Sequence, residues 1–239
     1  MVFPETVFRF KHFEVRQDKA TMKIGTDGVM LGAWADVKSN DEILDIGTGT
    51  GLIALMLAQR SQQASVHAVE IEQEAFEQAS ENFDLCLWHD RLRCFNMSIQ
   101  DFAEATSQKY DLIVCNPPFF TGGTLSDNHE RSLVRHTIKL PHGDLLLSVR
   151  KLLKKNGRFC VILPYLEGLR FKEMAQSNGL FCNKVLGTKP SLLKPVERLL
   201  MEFSYLANQY EYKELTIRNE RQEWSSEYIN LTKEFYINL

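Results

Sequence analysis

The spacing of hydrophobic and polar positions changes period repeatedly along this chain. Residues 6–16 set Val7, Phe8, Phe10, Phe13 and Val15 among charges, a pattern of one or two short strands. Gly-Thr-Asp-Gly at 25–28, followed by VMLGAWADV, predicts a capped short helix over 25–37. From residue 41 apolar runs and amphipathic stretches alternate. Strands are predicted at 42–46, 65–69, 91–95, 110–115 and 157–163, and helices at 52–59, 71–83, 143–154 and 165–178. Strands that alternate with helices imply a parallel sheet with right-handed crossovers. Two further strands, 180–186 and 198–206, follow with no helix between them, which predicts an antiparallel hairpin at the end of the sheet. Residues 208–239 read as a strand or loop and a closing helix.

The 239 residues, 44% hydrophobic and 25% charged, fit one large domain or two small ones, and either can bury a full core. No run approaches the ~18 apolar residues of a membrane span. The N-terminus carries charge by Glu5 and has no apolar core of a secretory signal. The five cysteines are scattered without a CxxC pair, as small core residues of a reduced, cytoplasmic protein would be. The six histidines form no ligand cluster, so no metal is expected. A net charge of −3 argues against a nucleic-acid partner only on average. Residues 121–200 hold 14 Lys and Arg against 6 Asp and Glu, a balance of +8, and the remainder carries −11. A basic segment on an acidic body is the pattern of an RNA-contacting face or of solvated lysines.

Two motifs carry the chemistry. The strand EILDI runs into Gly47-Thr-Gly49-Thr-Gly51 and then a helix, so the backbone can pass close to a ligand. The dinucleotide fingerprint needs G-x-G-x-x-G, yet Leu52 stands where its third glycine belongs, and no Gly-Lys-Ser/Thr follows for a P-loop. The strand acid Asp45 would repel a pyrophosphate and attract an ammonium, which favours S-adenosyl-L-methionine. Glu70, 19 residues past Gly51, ends the next strand, where a carboxylate can accept from vicinal ribose hydroxyls.

The second motif, Asn116-Pro117-Pro118-Phe119, ends the strand YDLIVC, at the sheet edge where α/β folds bind ligands. Two prolines make a rigid shelf that presets Asn116. The lone pair of adenine's exocyclic nitrogen is delocalised into the ring. Acceptors on its two N–H groups, the Asn116 side-chain carbonyl and the Pro117 backbone carbonyl, would return it to nitrogen while Phe119 stacks on the base. Methyl transfer is then mainly positioning and charge complementarity.

The order Asp45, Gly47, Gly49, Gly51, Glu70 and NPPF resembles the class I S-adenosylmethionine-dependent N-methyltransferases. MKIGTDGVMLGAWA (22–35), DIGTGTGLIALMLAQR and NPPFFTGG (116–123) are similar to the bacterial tRNA(Val) adenine-37 N6-methyltransferases, over residues 5–206. The resemblance implies an α/β, Rossmann-like fold with a seven-stranded, mostly parallel sheet, an antiparallel last strand and helices on both faces. It implies that Lys23, Gly25, Thr26 and Asp27 form a lid segment over the cofactor, and that the connection at Ser98 and Ile99 borders its adenine. Many such enzymes place an acid there; this chain has Ser98, with Asp101 three residues on. Release-factor glutamine N5-methyltransferases and ribosomal RNA N-methyltransferases share NPPF/Y, so a protein glutamine amide and ribosomal adenine are the alternatives. An RNA-binding module with a vestigial cofactor fold is the non-enzyme alternative, and intact Asp45, Glu70, Asn116 and Phe119 argue against it. Phe120, Arg131, Arg135, Lys139, Lys189 and Lys194 are the candidate RNA contacts. The expected arrangement is a monomeric single domain: an N-terminal strand and lid extension (1–40), a catalytic core (41–206) and a C-terminal extension (207–239).

Overall fold

The computed structural model describes residues 6–20, 23–39, 41–118 and 140–238. β1 (Val7–Arg9) and β2 (Glu14–Arg16) form a small antiparallel pair. The main sheet contains β3 (Glu42–Ile46), β4 (Ser65–Glu70), β5 (Leu92–Asn96), β6 (Tyr110–Cys115), β7 (Leu153–Pro164), β8 (Phe181–Ser191), β9 (Arg198–Ser204) and β10 (Glu211–Arg218). Their spatial order is β10-β8-β9-β7-β6-β3-β4-β5. β9 runs antiparallel to both neighbours, β7 and β8, and the other pairings are parallel. The seven expected core strands and the expected hairpin are present, and β10 adds an eighth strand at the edge, parallel to β8. β10 buries Leu215 and leaves Glu211–Glu214 exposed, a charged edge that discourages further strand pairing.

The helices are α1 (Thr26–Trp34), α2 (Leu52–Arg60), α3 (Gln73–Asp84), α4 (Ile99–Ala105), α5 (His142–Leu152), α6 (Tyr165–Ser177) and α7 (Ser226–Thr232). They cover both faces. Successive strand side chains point to opposite sides, so each central strand feeds two cores. Ile43, Leu112, Val114, Cys160 and Ile162 pack with α1, α2 and α3. Leu44, Ile46, Ile113, Cys115, Val161 and Leu163 pack with α4, α5 and α6. Burial on both sides is why these strands read as continuous apolar runs. Among the described residues no helix is long and apolar enough to cross a membrane, and the five cysteines are free, three of them buried.

Three local expectations are corrected. The helix expected to reach Lys154 ends at Leu152, because Leu153 pairs with Tyr110 and opens β7. The helix at 26 has no side-chain cap: Gly25 is its N-cap, and the Asp27 carboxylate is engaged elsewhere. The connection after β5 contains a short helix, α4, that the apolar periodicity does not announce.

Candidate functional site

A cleft lies over the carboxyl ends of β3, β4, β5 and β6, walled by Gly47, Gly49, Glu70, Ser98, Asn116 and their neighbours. Its floor is set by the glycine loop. Gly47, Gly49 and Gly51 all have positive φ, at 68°, 58° and 83°, which L side chains adopt at a cost. A Cβ on Gly47 or Gly49 would enter open space, so at these two positions the backbone is left bare toward the cleft. Gly51 is different: a Cβ there would stand 2.6 Å from Phe83 Cε1, so its glycine serves helix packing.

Asp45 is fully buried below this loop. Its Oδ2 accepts the Thr48 hydroxyl at 2.6 Å. Its Oδ1 has no hydrogen-bond partner among the described residues. Burial pushes its carboxyl up to about 7, the nearby Glu70 adds to the rise, and the bonds from Thr48 and the Ala54 backbone oppose it. Glu70 ends β4 and is also buried. Its Oε2 accepts the Gly49 N–H and its Oε1 the Glu72 N–H, both at 2.9 Å. Glu70 therefore ties the glycine loop to the β4 turn. A carboxylate has about four lone-pair sites, so each oxygen retains capacity for a ligand hydroxyl.

Asn116 leaves β6 at the cleft, with its Oδ1 buried and without a hydrogen-bond partner among the described residues. Pro117 is buried and Pro118 lines the cleft, which gives the shelf its rigidity. Phe119, Phe120, Arg131, Arg135 and Lys139 lie outside the described residues.

Ser98 caps α4. It accepts the Asp101 backbone N–H at 3.0 Å and donates its hydroxyl to Asp101 Oδ2 at 2.6 Å. Ser98, the buried Ile99 and Gln100 line the cleft. The periodicity missed Gln100. The Ser98-x-x-Asp101 spacing of a capping box was the available signal.

The segment preceding α1 is held beside the cleft by buried polar groups of α3. Asn82 Oδ1 accepts the Arg16 N–H and Gln78 Oε1 the Lys19 N–H, both at 2.9 Å, while Lys19 pairs with Glu81. Ala20 thereby reaches the cleft wall. Lys23 donates to the Gln17 backbone carbonyl at 2.6 Å. Thr26 opens α1, and Asp27 Oδ2 accepts from Arg198 Nε of β9 at 2.9 Å. A Cβ on Gly28 would stand 3.8 Å from Asn116 Nδ2, so the segment reaches the Asn116 side of the site.

Among the described residues, several cations of the basic segment pair with acids elsewhere in the chain. Lys151 pairs with Glu104, Lys154 with Asp111, Arg158 with Asp36 and Asp41, Lys184 with Glu202, and Lys189 with Glu214. Part of the +8 balance is thus offset by these pairs. Lys194, on the β8–β9 turn, has no ion pair among the described residues.

A sheet ordered outward from β3, an antiparallel β9 inserted beside β7, and a glycine-looped cleft at the carboxyl edge together define a Rossmann-like class I methyltransferase fold. Residues 23–163 match the family model of the methyltransferase small domain. The chain belongs to that family, and within it to the group whose curated members are named tRNA1(Val) (adenine(37)-N6)-methyltransferase. It is 46% identical to the protein of that name from Trichodesmium erythraeum over 232 residues, covering 96% of this chain and 97% of the relative. It is 42% identical to the one from Flavobacterium psychrophilum over 234 residues, covering 98% and 100%. Among solved structures, one described as a predicted O-methyltransferase from Agrobacterium tumefaciens superposes with a TM-score of 0.69 at 16% identity. That alignment covers 90% of this chain and all of the other, and it speaks for the fold alone.

Proposed function

We propose that this chain transfers a methyl group from S-adenosyl-L-methionine to the exocyclic N6 of an adenine in tRNA, namely adenine 37 of the anticodon loop of a tRNA(Val). The carrying observation is Asn116: a buried, unpartnered carbonyl oxygen at the end of β6, in the same cleft as the glycine loop and Glu70. The names of near full-length relatives support the choice of substrate.

The residues present fit the cofactor. Asp45 Oδ1 is an orphaned buried acceptor suited to an ammonium, and the bare backbone at Gly47 and Gly49 leaves room that a Cβ would fill. Glu70 has lone pairs left for vicinal hydroxyls, and Ile71, Met97 and Ile99 supply apolar walls. When bound, the cofactor supplies an electrophilic methyl group on a sulfonium.

This chain's own residues prepare the nucleophile. Asn116 Oδ1 accepts one amine N–H and the Pro117 carbonyl the other, which favours a pyramidal nitrogen with its lone pair released from the ring. Accepting the N–H bonds also stabilises the positive charge that develops on nitrogen, and the methylated amine then loses one N–H proton to water, so no strong base is needed. Phe119 stacks on the base. A single-stranded anticodon loop makes extrusion of the target base cheap, with Phe120, Arg131, Arg135, Lys139, Lys189 and Lys194 as RNA contacts. Lys189 does this only by exchanging its Glu214 partner for a phosphate. The protein acts as a cytoplasmic monomer with a single methyltransferase domain, 1–239.

Asn116→Ala tests the division of roles. Transfer to tRNA should fall by at least about a hundredfold, the scale of losing one preorganised transition-state contact, while S-adenosylhomocysteine affinity stays within about twofold. A large loss of cofactor affinity, or retained transfer, contradicts the assignment.

A further inference from the structure

The cleft runs across the carboxyl ends of three adjacent strands, β3, β4 and β5, a distance of about 10 Å at ~4.8 Å per strand. The first strand end offers the glycine loop and Asp45, the second Glu70, and the third Met97 to Gln100. A ligand that carries an ammonium, then a ribose, then an adenine fits this order in one direction. Its ring then lies against Ile71, Met97, Ile99 and Leu140.

The ring's amino group needs an acceptor at that end. Ser98 already accepts the Asp101 N–H and donates its proton to Asp101 Oδ2, which leaves its oxygen a single free lone pair. Gln100 is not so committed. Its Nε2 donates to Asp144 Oδ2 of α5 at 3.4 Å, and its Oε1 is buried with no hydrogen-bond partner among the described residues. A carboxylate accepts and does not donate, so Asp144 dictates which end of the amide turns toward it. The carbonyl is thereby left as the free end. A buried acceptor without a donor is costly, and a ligand N–H removes that cost.

We propose that Gln100, oriented by Asp144, recognises the adenine of the cofactor: its carbonyl accepts from the exocyclic amine and selects a 6-amino purine over a 6-oxo purine. The inference rests on the S-adenosylmethionine reading above. A 6-oxo ring would set carbonyl against carbonyl. Turning the amide to relieve this would set its oxygen against the Asp144 carboxylate.

The test is titration calorimetry of the full chain with S-adenosyl-L-homocysteine and with its 6-oxo counterpart, S-inosyl-L-homocysteine. The wild-type protein should prefer the adenosine compound by about tenfold or more, the scale of one hydrogen bond exchanged for an unmet acceptor. Gln100→Leu should reduce that ratio at least about fivefold, mainly by weakening the adenosine compound. Asp144→Asn frees the amide to turn. It should keep adenosine affinity within about threefold yet bind the inosine compound about fivefold better. A purely structural role for Gln100 would weaken both ligands equally. A Gln100→Leu protein that keeps the wild-type ratio, or an Asp144→Asn protein with unchanged selectivity, overturns the inference. Binding of neither compound to the wild-type protein overturns the cofactor reading itself, and this inference with it.

Discussion

The buried carboxyl of Asp45 makes cofactor affinity depend on pH in a direction the structure fixes. Its pKa lies at about 7 against an ordinary 3.8, chiefly because burial penalises the charged form. In the unliganded protein this favours the protonated acid. The stability it contributes is therefore present below about pH 4 and is lost as pH rises through 7. An ammonium beside Oδ1 favours the opposite form, so binding releases a proton. The charged fraction of a group at pKa 7 is about 0.03 at pH 5.5 and about 0.5 at pH 7.0, so affinity should rise about sixteenfold across that window. At pH 6.5 binding should release about 0.8 proton per molecule. Calorimetry with S-adenosylhomocysteine in two buffers of different ionisation enthalpy reads both quantities. Asp45→Asn keeps an acceptor for the Thr48 hydroxyl and should flatten the profile. Methylthioadenosine, which shares the nucleoside and lacks the ammonium, should bind the wild-type protein without the rise. A wild-type affinity that is constant or falls from pH 5.5 to 7.0 would refute the argument.

Other consequences follow from the same geometry. Glu70→Ala should weaken S-adenosylhomocysteine by on the order of 2–3 kcal/mol. It should also speed hydrogen exchange at Gly49 and Glu72, whose N–H groups it now holds; unchanged exchange would separate loop order from Glu70. Gly51→Ala should cost about 1–3 kcal/mol in a calorimetric melt, since φ of 83° and the 2.6 Å approach to Phe83 both oppose a Cβ. Adding Phe83→Leu should not restore the strain part. Replacing Arg131 and Arg135 by Gln should raise the KM for tRNA and flatten its salt dependence, and unchanged kinetics would remove them from the RNA interface.

What was legible in the sequence follows from what each signal depends on. β3 and β6 were bounded correctly because strands buried on both faces read as unbroken apolar runs. Gly47, Gly49, Glu70 and Asn116 were singled out because strand ends locate them, and the fold brings those ends to one cleft. α4 was missed because seven residues give too little periodicity, although its cap was written at 98–101. The pairing of β10 with β8 was hidden for a related reason, since its burial is confined to Leu215 and the residues after it. The fate of charge was not legible at all. Asp27 and Arg198 are 171 positions apart, and Lys189 meets Glu214 only because β10 adds to the sheet beside β8. Segment charge alone therefore does not tell which cations are already paired.

The central claim is tested most directly by supplying labelled S-adenosylmethionine to the protein with undermodified total tRNA, ribosomal RNA and release factor in parallel. Nucleoside analysis then identifies the product. The account predicts label in tRNA alone, recovered as N6-methyladenosine at position 37 of a tRNA(Val). Label in protein or ribosomal RNA with none in tRNA would contradict it.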